Sequence, residues 1–242
     1  AARGAHFVCV LCLLDPAGRQ GRRQAREGTP VNPSAKEPLR LVLASGNPHK
    51  AAEMRALAAD SGLALEILSA TAFGGMPAAA EDTGTFPGNA RQKAQALRAR
   101  LPASHWSLAD DSGLCVDALE GAPGVESAYY AGPAGDPAAN LAKLVAAMTG
   151  VPPAARGAHF VCVLCLLDPA GRESLFEGRC AGRLALAPDG GGGFGYDPLF
   201  IPEGHTATLA RLGDAAKNRL SHRARAWSAL AAAFRHGVLG SA

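Results

Sequence analysis

Residues 39–68 carry the tightest constraint on the fold. Leu39–Ala44 (LRLVLA) is a continuous apolar run, the pattern of a strand buried on both faces. Ser45-Gly46-Asn47-Pro48 then turns the chain, with Asn47 suited to cap a helix and Pro48 to its first position. The helix is expected over 49–61, closing at Gly62, and 63–68 reads as a second strand. Strand, helix and strand at this spacing predict a βαβ unit and an α/β fold.

The second constraint is a repeat. Residues 1–19 (AARGAHFVCVLCLLDPAGR) are identical to residues 154–172. Structural repeats diverge, so identity at every position marks a duplicated segment. Both copies hold a β-rich run ending in an Asp-Pro-Ala-Gly turn, and only one copy can fill a given place in a sheet. The internal copy has its sequence neighbours, so the strand is expected at 158–167. Residues 1–39 are read as an extension made of the extra copy and a basic, proline-bearing linker, ahead of a domain spanning 40–238.

Charge supports that division. Residues 1–40 hold seven Lys/Arg and three Asp/Glu, a balance of +4, whereas the whole chain carries +3. The remaining 202 residues therefore balance at −1, which argues against a stable nucleic-acid complex. No apolar run approaches the ~20 residues of a membrane span. Cys162/Cys165, like Cys9/Cys12, have CxxC spacing inside an apolar strand run, which points to core cysteines rather than a zinc or redox site. Cysteines without a disulfide framework fit a reducing compartment, so a cytoplasmic protein is expected.

Further along, 87–101 has a helical pattern. Residues 106–109 and 114–116 read as short strands around a loop at Asp110–Gly113. A helix is expected from Asp136 to about Met148, a long hairpin at 158–167 and 174–186, a glycine-rich loop at 190–195, and a last helix over 221–236.

Three features carry chemistry. The strand–SGNPHK–helix turn offers backbone N–H groups and a positive helix end to an anion, with Lys50 in the first helical turn. It is not a Walker A loop. Two acidic segments, Glu81-Asp82 and Asp110-Asp111, each lie beside glycine, and hard oxygen ligands around an open site are what Mg²⁺ uses with substrate phosphates. Phe194-Gly195-Tyr196-Asp197 follows a glycine run, and Lys217 and Ser221-His222-Arg223 sit at a helix start. An aromatic ring, Asp, His and Arg together can stack on and hydrogen-bond a nucleobase.

Together these words resemble the Ham1/inosine triphosphate pyrophosphatase family: SGNPHK (45–50), EDTGTF (81–86) with Asn89-Ala90 and Lys93-Ala94, ADDSGLCVDAL (109–119), GAPGVESA with YAG (121–132), GGFGYDPLF (192–200) and KNRLSHR (217–223). They occur in family order over roughly 40–236. Three positions depart: Tyr129 where the family usually has Arg, Ala207-Thr208-Leu209 for Ala-Glu-Leu, and Gly88 for Glu. The extra N-terminal copy has no family counterpart.

The resemblance implies an elongated mixed β-sheet with flanking helices, forming two lobes around a nucleotide cleft. It implies Mg²⁺-dependent hydrolysis of ITP, dITP and XTP to the monophosphate and pyrophosphate, by a homodimer. Asp111 would act as general base or metal holder and Glu81 as metal ligand, with Asp110 and Asp82 in support. Ser45, Gly46, Asn47, Lys50, Lys93 and Lys217 would hold the triphosphate, with Ser112 near phosphate or sugar. Phe194, by stacking, with Asp197, His222 and Arg223 would choose the base, and Gly195 and Tyr196 would also contact the substrate. A related Maf-type pyrophosphatase would instead take modified or pyrimidine nucleotides; the SHR and FGYDP words favour Ham1. A nucleotide-binding module without turnover is the reading from another class.

Overall fold

The computed structural model describes residues 37–239, so the extra copy at 1–19 and most of the linker lie outside the described residues. Strand β1 (Leu39–Ala44) has Leu41 to Ala44 almost fully buried, as its unbroken apolar run requires. Helix α1 (Pro48–Asp60) follows, capped by Asn47, whose Oδ1 accepts from the N–H groups of His49 and Lys50. Strand β2 (Leu65–Ser69) returns parallel to β1. The expected βαβ unit is present, its second strand shifted along the chain by one or two residues.

Helix α2 (Phe86–Arg98) then leads to β3 (Trp106–Val116), which lies parallel to β1 on the side opposite β2. After α3 (Pro137–Ala147), the hairpin β4 (Gly157–Leu167) and β5 (Glu173–Leu184) extends the sheet antiparallel. Short β6 (Phe200–Pro202), α4 (Leu209–Leu212) and α5 (Asp214–Leu220) precede α6 (His222–Arg235). The sheet is mixed and six-stranded, in the order β2-β1-β3-β4-β5-β6, with helices on its faces. The internal copy supplies β4, at the sheet's centre. Neither β6 nor α4 nor α5 was expected; elements of three to seven residues leave no readable period.

One sequence expectation is overturned. Residues 106–116 form a single strand, not two strands around an acidic loop. Asp110 pairs in register with Leu164 and Asp111 with Val163. Successive strand residues point to opposite faces. One face packs Leu108 and Cys162 under α1 and α6; the other packs Ala109 and Val163 under α2. The adjacent carboxylates therefore leave the sheet on opposite sides, and each meets its own cation.

The acid pair also lies just past the end of β1, whose last partner on β3 is Ala109, opposite Ala44. The chain leaves β1 towards β2 on one side, and β3 lies on the other. Such a switch in strand order opens a crevice at the strands' carboxyl ends, where α/β sheets bind ligands. Two glycines let neighbouring segments pack closely on the sheet. A side chain at Gly113 would collide with the Gly124 carbonyl and Ser127 Oγ, and one at Gly178 would collide with the backbone of α6 at His222 and Ala226.

Candidate active site

Two adjoining cavities share Asn47, Lys50, Ser112, Ala128 and Gly135. The larger, about 830 Å³, is lined by the Ser45–Asn47 turn, Glu81, Lys93, Asp110 and Asp111. The smaller, about 150 Å³, is walled by Phe160, Phe194, Tyr196, His222 and Arg223. The cleft thus has a wide polar end and a narrow aromatic end, the shape a phosphate chain and a base require.

In the polar end, α2 delivers Lys93 and β3 delivers Asp111. Lys93 Nζ lies 2.6 Å from Asp111 Oδ1 and 2.9 Å from Glu81 Oε2. Burial pulls the Lys93 ammonium down, but Asp111 and Glu81 together hold it above its ordinary value. Burial pushes the Asp111 carboxyl up, with Lys93 opposing. Asp111 Oδ2 is buried and has no hydrogen-bond partner, a costly arrangement unless a ligand completes it.

That orphaned oxygen tests the fit of Mg²⁺. No group of three or more His, Cys, Asp or Glu side chains converges to hold a metal among the described residues. Mg²⁺ does not need such a cage: it is held by one or two carboxylates, with substrate phosphates and waters completing the shell. Asp111, through its free Oδ2, and the half-exposed Glu81 fit that role. Asp82 does not line either cavity and accepts from Gln92 Nε2 at 2.9 Å.

Asp110 sits on the other face and is fully engaged. Lys50 Nζ lies 2.6 Å from Oδ1 and Arg223 Nε 2.7 Å from Oδ2, while Ser112 Oγ donates to Oδ1 at 2.5 Å. Burial pushes its carboxyl up, but Arg223 and Lys50 overcome this and hold it well below the usual carboxylate range. With its lone pairs spent on cations, Asp110 is a clamp for Lys50 and Arg223 rather than a free ligand. Where the sequence suggested support for the metal, the structure places Asp110 in ion pairs with Lys50 and Arg223.

The ion pairs continue into the aromatic end. Arg223 also bonds Glu53, and Lys217 Nζ lies 2.5 Å from Glu53 Oε1 and 2.7 Å from Asp197 Oδ2. Glu53 was missed in the sequence; it stands three residues after Lys50, on the same face of α1. Asp197 Oδ2 also accepts from the Phe194 backbone N–H at 2.8 Å. Burial raises the Asp197 carboxyl against the pull of Lys217.

His222 is buried, stacks on Phe160 at 4.7 Å between centroids, and leaves Nδ1 unpartnered. Burial first, and Arg223 beside it, hold its pKa well below the ordinary histidine value, so the ring is neutral. Tyr196 is consumed structurally: its hydroxyl donates to the Ser127 carbonyl at 2.8 Å, so only its ring faces the cavity. Asn140, also missed, ties the 127–131 wall together by bonds to Ala128 and Ala131. Tyr129 is about half exposed at the rim of the polar cavity.

Four cations (Lys50, Lys93, Lys217, Arg223) thus face five carboxylates (Glu53, Glu81, Asp110, Asp111, Asp197). The sequence profile of the Ham1 family matches residues 41–233, nearly the whole described chain. The chain belongs to the Ham1 family. It is 60% identical over 197 residues to a dITP/XTP pyrophosphatase of Opitutus terrae, covering 80% of this chain and 97% of that protein. Among solved structures, a HAM1 protein from Coxiella burnetii aligns with a TM-score of 0.72 and 36% identity, over 82% of this chain and 99% of its own. A nucleoside-triphosphatase and dITP/XTP pyrophosphatase from Mycobacterium abscessus aligns with a TM-score of 0.63 and 41% identity, over 79% and 98%. In the family's terms, the SGNPHK, DDSG and SHR words of this chain line one cleft.

Proposed function

We propose that the chain hydrolyses non-standard purine nucleoside triphosphates, ITP, dITP and XTP, to the monophosphate and pyrophosphate with Mg²⁺, cleansing the nucleotide pool. The observation that carries this reading is Asp111: a buried carboxylate with one oxygen on Lys93 and the other unpartnered, in the wall of the cavity that Lys50 and the Ser45–Asn47 turn also line.

The triphosphate lies in the wide end, where the N–H groups of the turn and the ammonium of Lys50 receive it. Lys93 adds positive charge beside the reacting phosphorus. Asp111 orients the attacking water and draws its proton; burial raises its carboxyl above the ordinary range, against the pull of Lys93, which makes it a stronger base than an exposed aspartate. Asp111 and Glu81 would hold Mg²⁺, which would supply positive charge against the surplus of carboxylates in the cleft and favour the developing phosphate oxyanions. Water attacks the α-phosphorus, the α–β bridging bond breaks, and pyrophosphate leaves.

The base enters the aromatic end, against Phe194. His222, neutral and with Nδ1 free, and Arg223 face a 6-keto purine. A site built to bond a 6-keto oxygen leaves its own groups unpaired against adenine's amino group, which gives discrimination of up to about 10⁴-fold. The reading includes a cytoplasmic homodimer and Phe194 as stacking partner. Among the described residues no helix is long and apolar enough to cross a membrane.

Hydrolysis in ¹⁸O-labelled water tests the chemistry. Attack at the α-phosphorus places the label in the monophosphate and none in pyrophosphate. Label in pyrophosphate, or release of inorganic phosphate, contradicts it.

A further inference from the structure

Phe194 stands between two spaces. It lines the small aromatic cavity and also a second hollow of about 330 Å³, whose wall includes His49, Glu53, Asp214 and Lys217, the last of which borders both. His49 lines only the second. Its imidazole stacks on the Phe194 ring, with centroids 5.2 Å apart and planes 18° from parallel. The Lys217 ammonium lies 4.1 Å from the centre of the same ring.

The backbone of His49 is held by the anion turn, and its exposed ring rests on Phe194. His49 occupies the first turn of α1, and its backbone N–H donates to Asn47 Oδ1 at 2.9 Å. Phe194 sits on a glycine run, residues 190–193, so few local side chains restrain it. Its backbone is held by Asp197, and its ring by His49 and Lys217. The residue that fixes the outer face of the aromatic wall thus belongs to the turn that meets the phosphates.

We propose that His49 is a positioning residue for base recognition: it braces Phe194 from behind and ties the wall of the base pocket to the phosphate-binding turn. This rests on the nucleotide reading of the cleft. An aromatic pair of this kind, together with the ordering of one ring before binding, accounts for a two- to tenfold effect on affinity, about the range such contacts carry.

The test separates base from phosphate by calorimetry on the full-length protein. The probes are IMP, which carries a base, and tripolyphosphate, which carries none. His49→Ala is expected to weaken IMP by about two- to tenfold and to leave tripolyphosphate unchanged. His49→Phe, which keeps a ring, is expected to restore IMP affinity, and His49→Gln is not. In a Phe194→Leu background, His49→Ala is expected to have little further effect.

Equal affinity of the wild type and His49→Ala for IMP overturns the proposal. So does an equal loss for IMP and tripolyphosphate, which would put His49 on the phosphates, or a failure of His49→Phe to recover affinity. A wild type that binds tripolyphosphate but no IMP overturns the nucleotide reading itself, and is distinguishable because it appears before any substitution is made.

Discussion

Lys93 holds one oxygen of Asp111 at 2.6 Å and leaves the other buried and unpartnered. The lysine fixes the carboxylate's orientation without consuming it. This differs from Asp110, the next residue in the strand, whose oxygens are taken up by Lys50, Arg223 and Ser112. Two neighbouring acids of the same type therefore have opposite availability, set by which face of β3 each one leaves.

Asp111→Asn preserves the bond from Lys93 but removes the negative charge and the basic oxygen. We expect kcat/KM for XTP to fall by about 10²- to 10⁴-fold, with the circular dichroism spectrum and melting temperature close to wild type. Wild-type turnover in this variant removes Asp111 from the chemistry.

Asp110→Ala has the reverse signature. It leaves Lys50 and Arg223 facing a buried site without their shared partner, which costs about 3–5 kcal/mol of stability. Urea unfolding measures this directly. The carboxyl's pKa is held below its ordinary value of 3.8, so it stabilises the native state above that pH and the contribution is lost as pH falls through the range below it. The wild type therefore has a steeper acid limb than the variant. Equal acid limbs would show that the Arg223–Asp110–Lys50 clamp contributes no pH-linked stability.

His222 titrates in the opposite sense to a histidine that gains a partner. The folded-state pKa lies well below 6.5, so as pH falls through about 6.5 the unfolded chain takes up a proton that the native ring refuses. Stability is lost on acidification there, with a slope of at most about 1.4 kcal/mol per pH unit from this residue. Urea unfolding above and below pH 6.5 should show a shallower dependence in His222→Gln than in wild type. Identical slopes would mean that His222 takes up its proton equally in the folded and unfolded chains, so that the fold does not hold its pKa down.

The sequence carried some of this and hid the rest for physical reasons. Asn47 and Pro48 are local signals for a helix start, so the anion turn was legible, as was the strand made by the internal copy of the repeat. Asp110 and Asp111 were read as a loop because a charged pair rarely fills the middle of a central strand; lysine and arginine from α1, α2 and α6 make it tolerable, and those contacts span 60, 18 and 113 residues. Glu53 was missed because an acid on a helix is ordinary until Lys217 and Arg223 are folded against it. The anchoring of the Tyr196 hydroxyl was not legible because its partner, the Ser127 carbonyl, is 69 residues away. Cys162 and Cys165 emerge on opposite faces of β4, each buried in a different core cluster, consistent with core residues rather than a shared metal or redox site.

The most direct measurement is pyrophosphate release by the full-length protein from ITP, XTP, dITP, GTP, ATP and a pyrimidine triphosphate, with and without Mg²⁺. The account predicts Mg²⁺-dependent release from ITP, XTP and dITP, well above GTP and ATP. Release from pyrimidine or modified nucleotides alone would point to a Maf-like activity. No release from any of them, by a chain shown to be folded, would contradict the assignment of Asp111, Glu81 and Lys93 to catalysis.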